Sequence, residues 1–246
     1  MVNGNSLNSF INISKGECLT LVGAGGKTSF MLNLASELKH YGKVAVTTTT
    51  KIYPPSDKFF NHLYIGDEKR ILKCPYNSNG VYVVGSSINT EGKIISVKEW
   101  FLDKLLEKLD YIIIEGDGSK GKPLKGWKDH EPVIPDVSNK TVGILDIESV
   151  GMEICEENVH RSGIFTSITD SSIGDKVTIE HLKKIVEHPK GLFKFSKGER
   201  ILFINKVESM ESYNFGIKLS EMLKDNVKID KIIIGSIKNR KYNLIK

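Results

Sequence analysis

The sequence predicts a mixed α/β fold in which a mainly parallel sheet carries helices on both faces. Three observations lead there. Short β-branched runs recur along most of the chain, several of them apolar at every position as doubly covered strands are, and segments with helical apolar spacing separate them. The runs are 19–22 (LTLV), 44–47 (VAVT), 81–84 (VYVV), 111–115 (YIIIE), 142–145 (VGIL), 201–204 (ILFI) and 231–234 (KIII).

Each intervening element has its own reason. Phe30, Met31, Leu34, Ala35 and Leu38 share a helical face after the first run, and Gly42 stands where a left-handed C-terminal cap is expected. Trp100, Leu105, Leu106 and Leu109 predict a helix before 111–115, and Thr178 followed by Glu180, Leu182, Ile185 and Val186 predicts another. A last helix is expected near 213–223. Two extended runs around the turn-like NTEGK, within 80–97, predict an antiparallel hairpin inserted in the sheet or placed at its edge. No repeat, Pro-rich or Ser-rich linker or low-complexity tract marks a boundary, so one domain over 1–246 is expected.

Composition narrows the class. The 246 residues are 39% hydrophobic and 26% charged, which excludes collagenous, low-complexity and wholly disordered chains. No strictly apolar run exceeds four residues, so neither a membrane span nor a secretory signal is expected, and the protein reads as cytoplasmic with no membrane partner. Cys18, Cys74 and Cys155 are odd in number, widely spaced and without a CxxC pair, which suits reduced thiols. The net charge of +5 comes from 35 Lys and Arg against 30 Asp and Glu. All of that excess lies in 224–246, with seven basic residues against two acidic, a solvated end or a dock for an acidic partner.

The residues richest in chemistry are Gly23, Ala24, Gly25, Gly26, Lys27, Thr28 and Ser29, directly after the first strand and directly before the first helix. Glycines let backbone N–H groups turn toward an oxyanion, and the helix N-terminus adds partial positive charge. Lys27 can reach β and γ phosphates, and the Thr28 hydroxyl can ligate Mg2+. The position six before Lys27 is Leu21, so this is not the standard GxxxxGK[ST]; the shorter GAGGKTS resembles the loops of Mur ligases. Together these features predict a P-loop NTPase-like fold binding ATP or GTP with Mg2+.

Such a loop needs a carboxylate at the end of a neighbouring buried strand. Glu115 ends the most apolar run, as a ligand of the metal or to orient the attacking water, with Asp117 as the second candidate; the alternative is that both only satisfy loop N–H groups. Thr47 to Thr50 and Lys51 either face the phosphates from the second strand or are plain strand formers. Asn205, Lys206, Val207 and Glu208 come close to the NKxD element that reads guanine, with Glu in place of Asp, or form an ordinary strand-ending turn.

The stretch Glu115 to Pro135 (EGDGSKGKPLKGWKDHEPVIP) is not required of a generic P-loop protein. With GAGGKTS, TTTTK, NVHR (158–161), HPKG (188–191) and NKVE it resembles, in order and over most of the chain, the YqeC family of selenium-dependent hydroxylase accessory proteins. The resemblance implies a cytoplasmic nucleotide-binding accessory protein acting in maturation of selenium-dependent molybdenum hydroxylases, with the hydroxylase or the molybdenum cofactor as client. Two departures from the family pattern stand out: Glu208 stands where the family tends toward Asp, and Gly126 with Trp127 interrupts its usual LKxP-like stretch.

Read physically, the central segment balances Lys120, Lys122, Lys125 and Lys128 against Glu115, Asp117, Asp129 and Glu131, unlike the one-signed stripe that nucleic acid requires. Lys120, Lys122, Lys125, His130 and Glu131 are the candidate contacts to a phosphorylated small substrate; the alternative is a solvated loop with scattered ion pairs. Adjacent Asp129, His130 and Glu131 cannot all point one way, His160 and His188 lack metal-ligand spacing, and Trp127 suits packing better than stacking on a flat ring. Three functions fit: an NTP hydrolase with Lys27, Glu115 and Asp117 at its centre, a small ATP-dependent kinase or ligase, and a nucleotide-gated cofactor-binding module. Oligomeric state is not legible.

Overall fold

The computed structural model describes residues 6–246. Its centre is a nine-stranded sheet of β1 (Glu17–Gly23), β2 (Lys43–Thr48), β3 (His62–Ile65), β4 (Gly80–Gly85), β5 (Tyr111–Glu115), β6 (Ser138–Asp146), β7 (Glu199–Asn205), β8 (Lys231–Ser236) and β9 (Lys241–Leu244). The spatial order is β9-β8-β7-β6-β1-β5-β2-β4-β3. Every neighbouring pair is parallel except β8 with β9. The helices are α1 (Lys27–Leu38), α2 (Glu99–Leu106), α3 (Ser162–Thr169), α4 (Ile179–Glu187) and α5 (Met210–Leu223), with shorter ones at Asn8–Ile11 and Glu68–Ile71.

The seven apolar runs are seven of these strands. Alternation within them sorts the core. Leu19, Leu21, Val44, Val46, Ile113, Val142, Ile144, Ile201, Phe203 and Ile233 share the core on the sheet face that carries α1. Their sequence neighbours face the other side, where Ala45, Ile112 and Ile114 pack under α2 and Leu145, Leu202, Ile204, Ile232 and Ile234 pack under α3 to α5. Phe203 meets Phe30 of α1 edge to face at 5.1 Å. Truncating such a buried ring costs about 3–5 kcal/mol, so Phe203→Ala is the change that loosens α1 from the sheet.

Local chemistry sets the helix boundaries. α4 begins with a capping box, the Thr178 hydroxyl accepting the His181 N–H and His181 Nδ1 accepting the Thr178 N–H. Gly42 is not a left-handed cap. α1 ends at Lys39 in right-handed conformation, and Gly42 is small because a Cβ there would lie 2.5 Å from Asp110 Oδ2, which accepts the Lys43 N–H. The extended run at 80–85 is a strand of the main sheet, parallel to both neighbours; within 80–97 the antiparallel hairpin is the pair Ser87–Ile88 and Ile94–Ile95, which joins Lys51–Ile52 in a separate three-stranded sheet. Among the described residues no helix is long and apolar enough to cross a membrane.

The topology positions the site. From β1 the chain proceeds toward β2 on one side, and after β5 it crosses to β6 on the other, so the C-terminal end of β1 sits at a switch point where open α/β sheets present a crevice. Gly23, Glu115, Asp146 and Asn205 end the strands that border it.

Candidate functional site

The segment from Gly23 to Gly26 turns through positive φ at three glycines, Gly23 (101°), Gly25 (83°) and Gly26 (127°). A Cβ on Gly25 would overlap the Asp146 side chain, and one on Gly26 would overlap the Asn205 carboxamide. Helix α1 follows with no side-chain cap and no acidic residue in its first turn. Its first N–H groups are therefore left for an anion, with the positive end of the helix behind them.

Lys27 is buried within this turn. Its Nζ donates to Gly23 O at 2.5 Å and lies 3.2 Å from Asp117 Oδ1 and 4.0 Å from Glu115 Oε1. Thr28 Oγ1 donates to Glu115 Oε2 at 2.8 Å. Burial raises the Glu115 carboxyl above its ordinary range, with Lys27 and Thr28 opposing and Asp117 adding to the rise. Thr28 and Glu115 thus place a hydroxyl and a carboxylate side by side at the loop, hard oxygen donors of the kind Mg2+ takes when phosphates and water complete its shell.

Asp117 is fully buried and serves the loop from below. Both its oxygens accept the Gly23 N–H at 3.1 Å, and Oδ2 also accepts Lys125 Nζ at 3.0 Å and Trp127 Nε1 at 2.7 Å. Lys125 continues to Glu131 Oε2 at 3.4 Å, and Glu131 takes both guanidinium nitrogens of Arg161, one of them at 2.8 Å. Charges alternate along this chain, Glu115, Lys27, Asp117, Lys125, Glu131, Arg161. Burial disfavours the Lys125 ammonium and lowers its pKa, with Asp117 and Glu131 opposing. Burial likewise works against the Glu131 charge, but the Arg161 hydrogen bonds and the Lys125 and Arg161 charges prevail and pull it down to about 2. His160, paired beside Lys125 through the short strands Leu124–Lys125 and Val159–His160, is pushed down to about 4 by burial and then by Arg161 and Lys125.

On the other side of the glycines lies a cleft of about 530 Å³. Gly26 and Ser29 form one wall, Asn205, Lys206 and Glu208 another, and the β8–β9 turn with Ile237, Lys238 and Arg240 a third. The Asn205 side chain bridges two of them, Nδ2 donating to Gly25 O at 2.8 Å and Oδ1 accepting the Ile237 N–H at 3.2 Å. Lys206 pairs with Asp146 Oδ2 at 2.6 Å. Glu208 accepts Ser236 Oγ at 2.9 Å and Lys238 Nζ at 3.1 Å; burial opposes its charge, yet these partners lower its pKa.

The structure brings together Gly23 to Ser29, Glu115 and Asp117, and joins Asn205, Lys206 and Glu208 to the same loop from its far side. Lys125 and Glu131 belong to the buried charge chain and not to an open substrate surface. Lys120 is exposed, Lys122 lies 3.9 Å from Glu156, and His130 borders a different cleft. The threonine hydroxyls are spent on carbonyls, Thr47 on Val84, Thr48 on Glu115 and Thr49 on Val133, which is the strand-former reading. Sequence reasoning missed Asp146, although VGILD repeats the apolar-run-then-acid pattern of YIIIE, and it missed Arg161, Ile237 and Arg240, whose approach depends on topology. Burial raises the Asp146 carboxyl, with Lys206 opposing.

Fold and site define an α/β protein whose sheet presents an anion-ready glycine loop at its switch point. The YqeC protein family model matches residues 19–163. The chain is also 32% identical over 210 residues, 83% of its length and 80% of the relative's, to Uncharacterized protein YqeC of Escherichia coli (strain K12). It belongs to the YqeC family. No solved structure matches it.

Proposed function

We propose that this chain is a Mg2+-dependent, P-loop-type purine nucleoside triphosphatase that acts as an accessory factor in maturation of selenium-dependent molybdenum hydroxylases, with guanine as the preferred base. The observation that carries the nucleotide reading is the uncapped start of α1 behind three left-handed glycines, with Lys27 and Thr28 in its first turn and Glu115 within reach of both. The client assignment rests on the family resemblance alone.

In this reading the loop N–H groups and the α1 N-terminus bind the phosphates. Lys27, now turned onto Gly23 O, exchanges that carbonyl for the stronger charge of the β and γ oxygens and stabilises charge on the transferring group. Thr28 and Glu115 would hold the metal, which supplies charge neutralisation between the phosphates. Water is the acceptor. Asp117 is a positioning residue that fixes the Gly23 N–H and the Lys27 ammonium. Guanine is favoured by Glu208, an acceptor-only group on the cleft wall, because guanine presents two adjacent donors to such a group and adenine does not.

Equilibrium binding of GTP and ATP with Mg2+, together with phosphate release with and without a molybdenum cofactor or hydroxylase, tests the reading. Lys27→Ala is expected to abolish nucleotide binding while far-UV circular dichroism stays that of the parent. Unchanged binding removes the central claim. Binding without phosphate release under any condition leaves a nucleotide-gated module in place of a hydrolase.

A further inference from the structure

A second cleft of about 730 Å³ shares no lining residue with the crevice beside the glycine turn. That is within the range of small-molecule sites, which run roughly 300–1,000 Å³. It is built where the central segment meets α3 and the end of α4. Trp127, Ile164 and Ile168 supply apolar walls, and Lys128, His130, His188 and Lys190 stand around them.

The construction is rigid. The Gly126 N–H donates to His160 O at 2.9 Å, and a Cβ on Gly126 would come within 2.7 Å of Ile164 Cβ and Phe165 N, so the central segment lies flush against α3. Arg161, immediately before α3, is clamped by Glu131, and Lys194 Nζ holds the Lys128 and Asp129 carbonyls at 3.2 and 2.6 Å. Trp127 cannot tilt without breaking its bond to the buried Asp117. Walls fixed this way are preformed for a ligand.

The polar groups around it are unspent. Neither Lys128 nor Lys190 has a carboxylate partner among the described residues, and the His130 and Asp129 side chains have no hydrogen-bond partner there. His188 accepts the Lys190 N–H at Nδ1 with a 3.1 Å bond, which leaves the proton of its neutral ring on Nε2, free to donate. Two ammonium groups, two imidazoles and one carboxylate, Asp129, thus line one cleft together with apolar side chains. Gly163, in the first turn of α3, also lines the cleft, and nothing lies within 4 Å of where its Cβ would be.

We propose that this cleft is a second binding site, separate from the nucleotide crevice, for a small phosphorylated molecule with a flat apolar body. The phosphomonoester dianion matches the two lysines and the imidazole donors, and the ring lies against Ile164, Ile168 and Trp127. The assignment does not depend on nucleotide binding, and the test separates the two.

The probe is 1-naphthyl phosphate, titrated into the full chain by its own fluorescence anisotropy, with 1-naphthol, 1-naphthoate and inorganic phosphate as comparators. Saturable binding is expected for the aryl phosphate, with each comparator weaker by about tenfold or more, since each lacks the ring, the phosphate or its second charge. Gly163→Leu fills the cleft at an unobstructed helical position, and Lys128→Ala with Lys190→Ala removes its cations; each is expected to weaken the probe about tenfold or more. Lys27→Ala is expected to leave probe affinity unchanged. No saturable binding at millimolar probe, parent-like binding by both cleft variants, or loss of binding in Lys27→Ala overturns the proposal, the last because it puts the probe in the phosphate loop.

Discussion

Guanine selectivity is the sharpest consequence of the crevice and can be worked from Glu208. Its Oε1 accepts Ser236 Oγ at 2.9 Å and its Oε2 accepts Lys238 Nζ at 3.1 Å, so the carboxylate is charged at neutral pH and each oxygen retains a free lone pair. Guanine offers N1–H and the N2 amino group side by side to such a pair; adenine offers an N1 lone pair and a C2–H, which the carboxylate repels. A hydrogen bond to a charged group is worth about 1.5–3 kcal/mol, so exchanging GTP for ATP forfeits about 3 kcal/mol or more, a preference of about a hundredfold. ITP, which lacks the amino group, is expected to fall between them, about tenfold below GTP. Glu208→Gln removes the charge and turns one acceptor into a donor. GTP affinity is expected to drop by about tenfold to a hundredfold, while XTP, whose C2 carries an oxygen, gains on GTP. Calorimetric titration of the four nucleotides with Mg2+ at fixed ionic strength reads all of this. Parent affinities for GTP and ATP within about threefold of one another refute the assignment of Glu208 to the base edge.

Three further outcomes follow from the same geometry. Gly25→Ala places a Cβ against Asp146 at a φ of 83°, so nucleotide binding is expected to be lost and thermal stability lowered by at least the about 1 kcal/mol that left-handed backbone costs a residue with a Cβ; a parent-like melting temperature contradicts the loop geometry. The Glu131 carboxyl sits at about 2 in the folded chain against 4.5 as its ordinary value, so its contribution to stability is complete above pH 4.5 and disappears as pH falls toward 2. Glu131→Gln should flatten the acid limb of the stability profile across that window and lower stability at neutral pH, because Arg161 and Lys125 each lose a partner. Cys18 is fully buried, with its thiol pushed by burial up to about 12, whereas Cys74 and Cys155 are partly exposed, so a thiol reagent should count two groups in the folded protein and three after denaturation.

The strands that were legible are those buried on both faces, because only there does burial force every position to be apolar. β3 and β9 escaped notice for the opposite reason. They are the sheet's two edges, and HLYI and KYNL keep polar and exposed residues where a covered strand has none. The glycine turn between β1 and α1 was legible because its glycines, lysine and threonine are adjacent in sequence, so one local turn assembles them. Lys125 and Glu131 were legible as chemistry-bearing residues but not as partners: their pairing needs Asp117 from the end of β5 and Arg161 from the start of α3, and no spacing rule links those. Asn205 shows the intermediate case. Its strand-end position was readable, but its bridge from Gly25 to Ile237 depends on β7 and β8 lying beside each other.

The basic excess of the chain takes on a location once β8 and β9 are in place. Of the seven basic residues in 224–246, Lys231 and Lys246 sit at the end of the sheet away from the crevice, where Lys231 pairs with Glu199 and Lys246 with the Asn226 carbonyl. Parallel β8 then carries the chain to the crevice edge, and the turn before antiparallel β9 holds Lys238 and Arg240 over the cleft wall. Lys238 is tied to Glu208, but Arg240 has no carboxylate partner among the described residues. The segment is therefore neither a loose tail nor a uniform patch: it is the sheet's last hairpin, and it delivers positive charge beside the three-glycine turn that also faces the α1 N-terminus. In the proposed reading, a triphosphate approaching that mouth would meet a cation, a helix dipole and loop N–H groups before Lys27, with low-dielectric walls concentrating their field. The rest of the chain balances its charges, so the excess of +5 is carried by this one segment, and at the crevice it supports the small-anion reading proposed above.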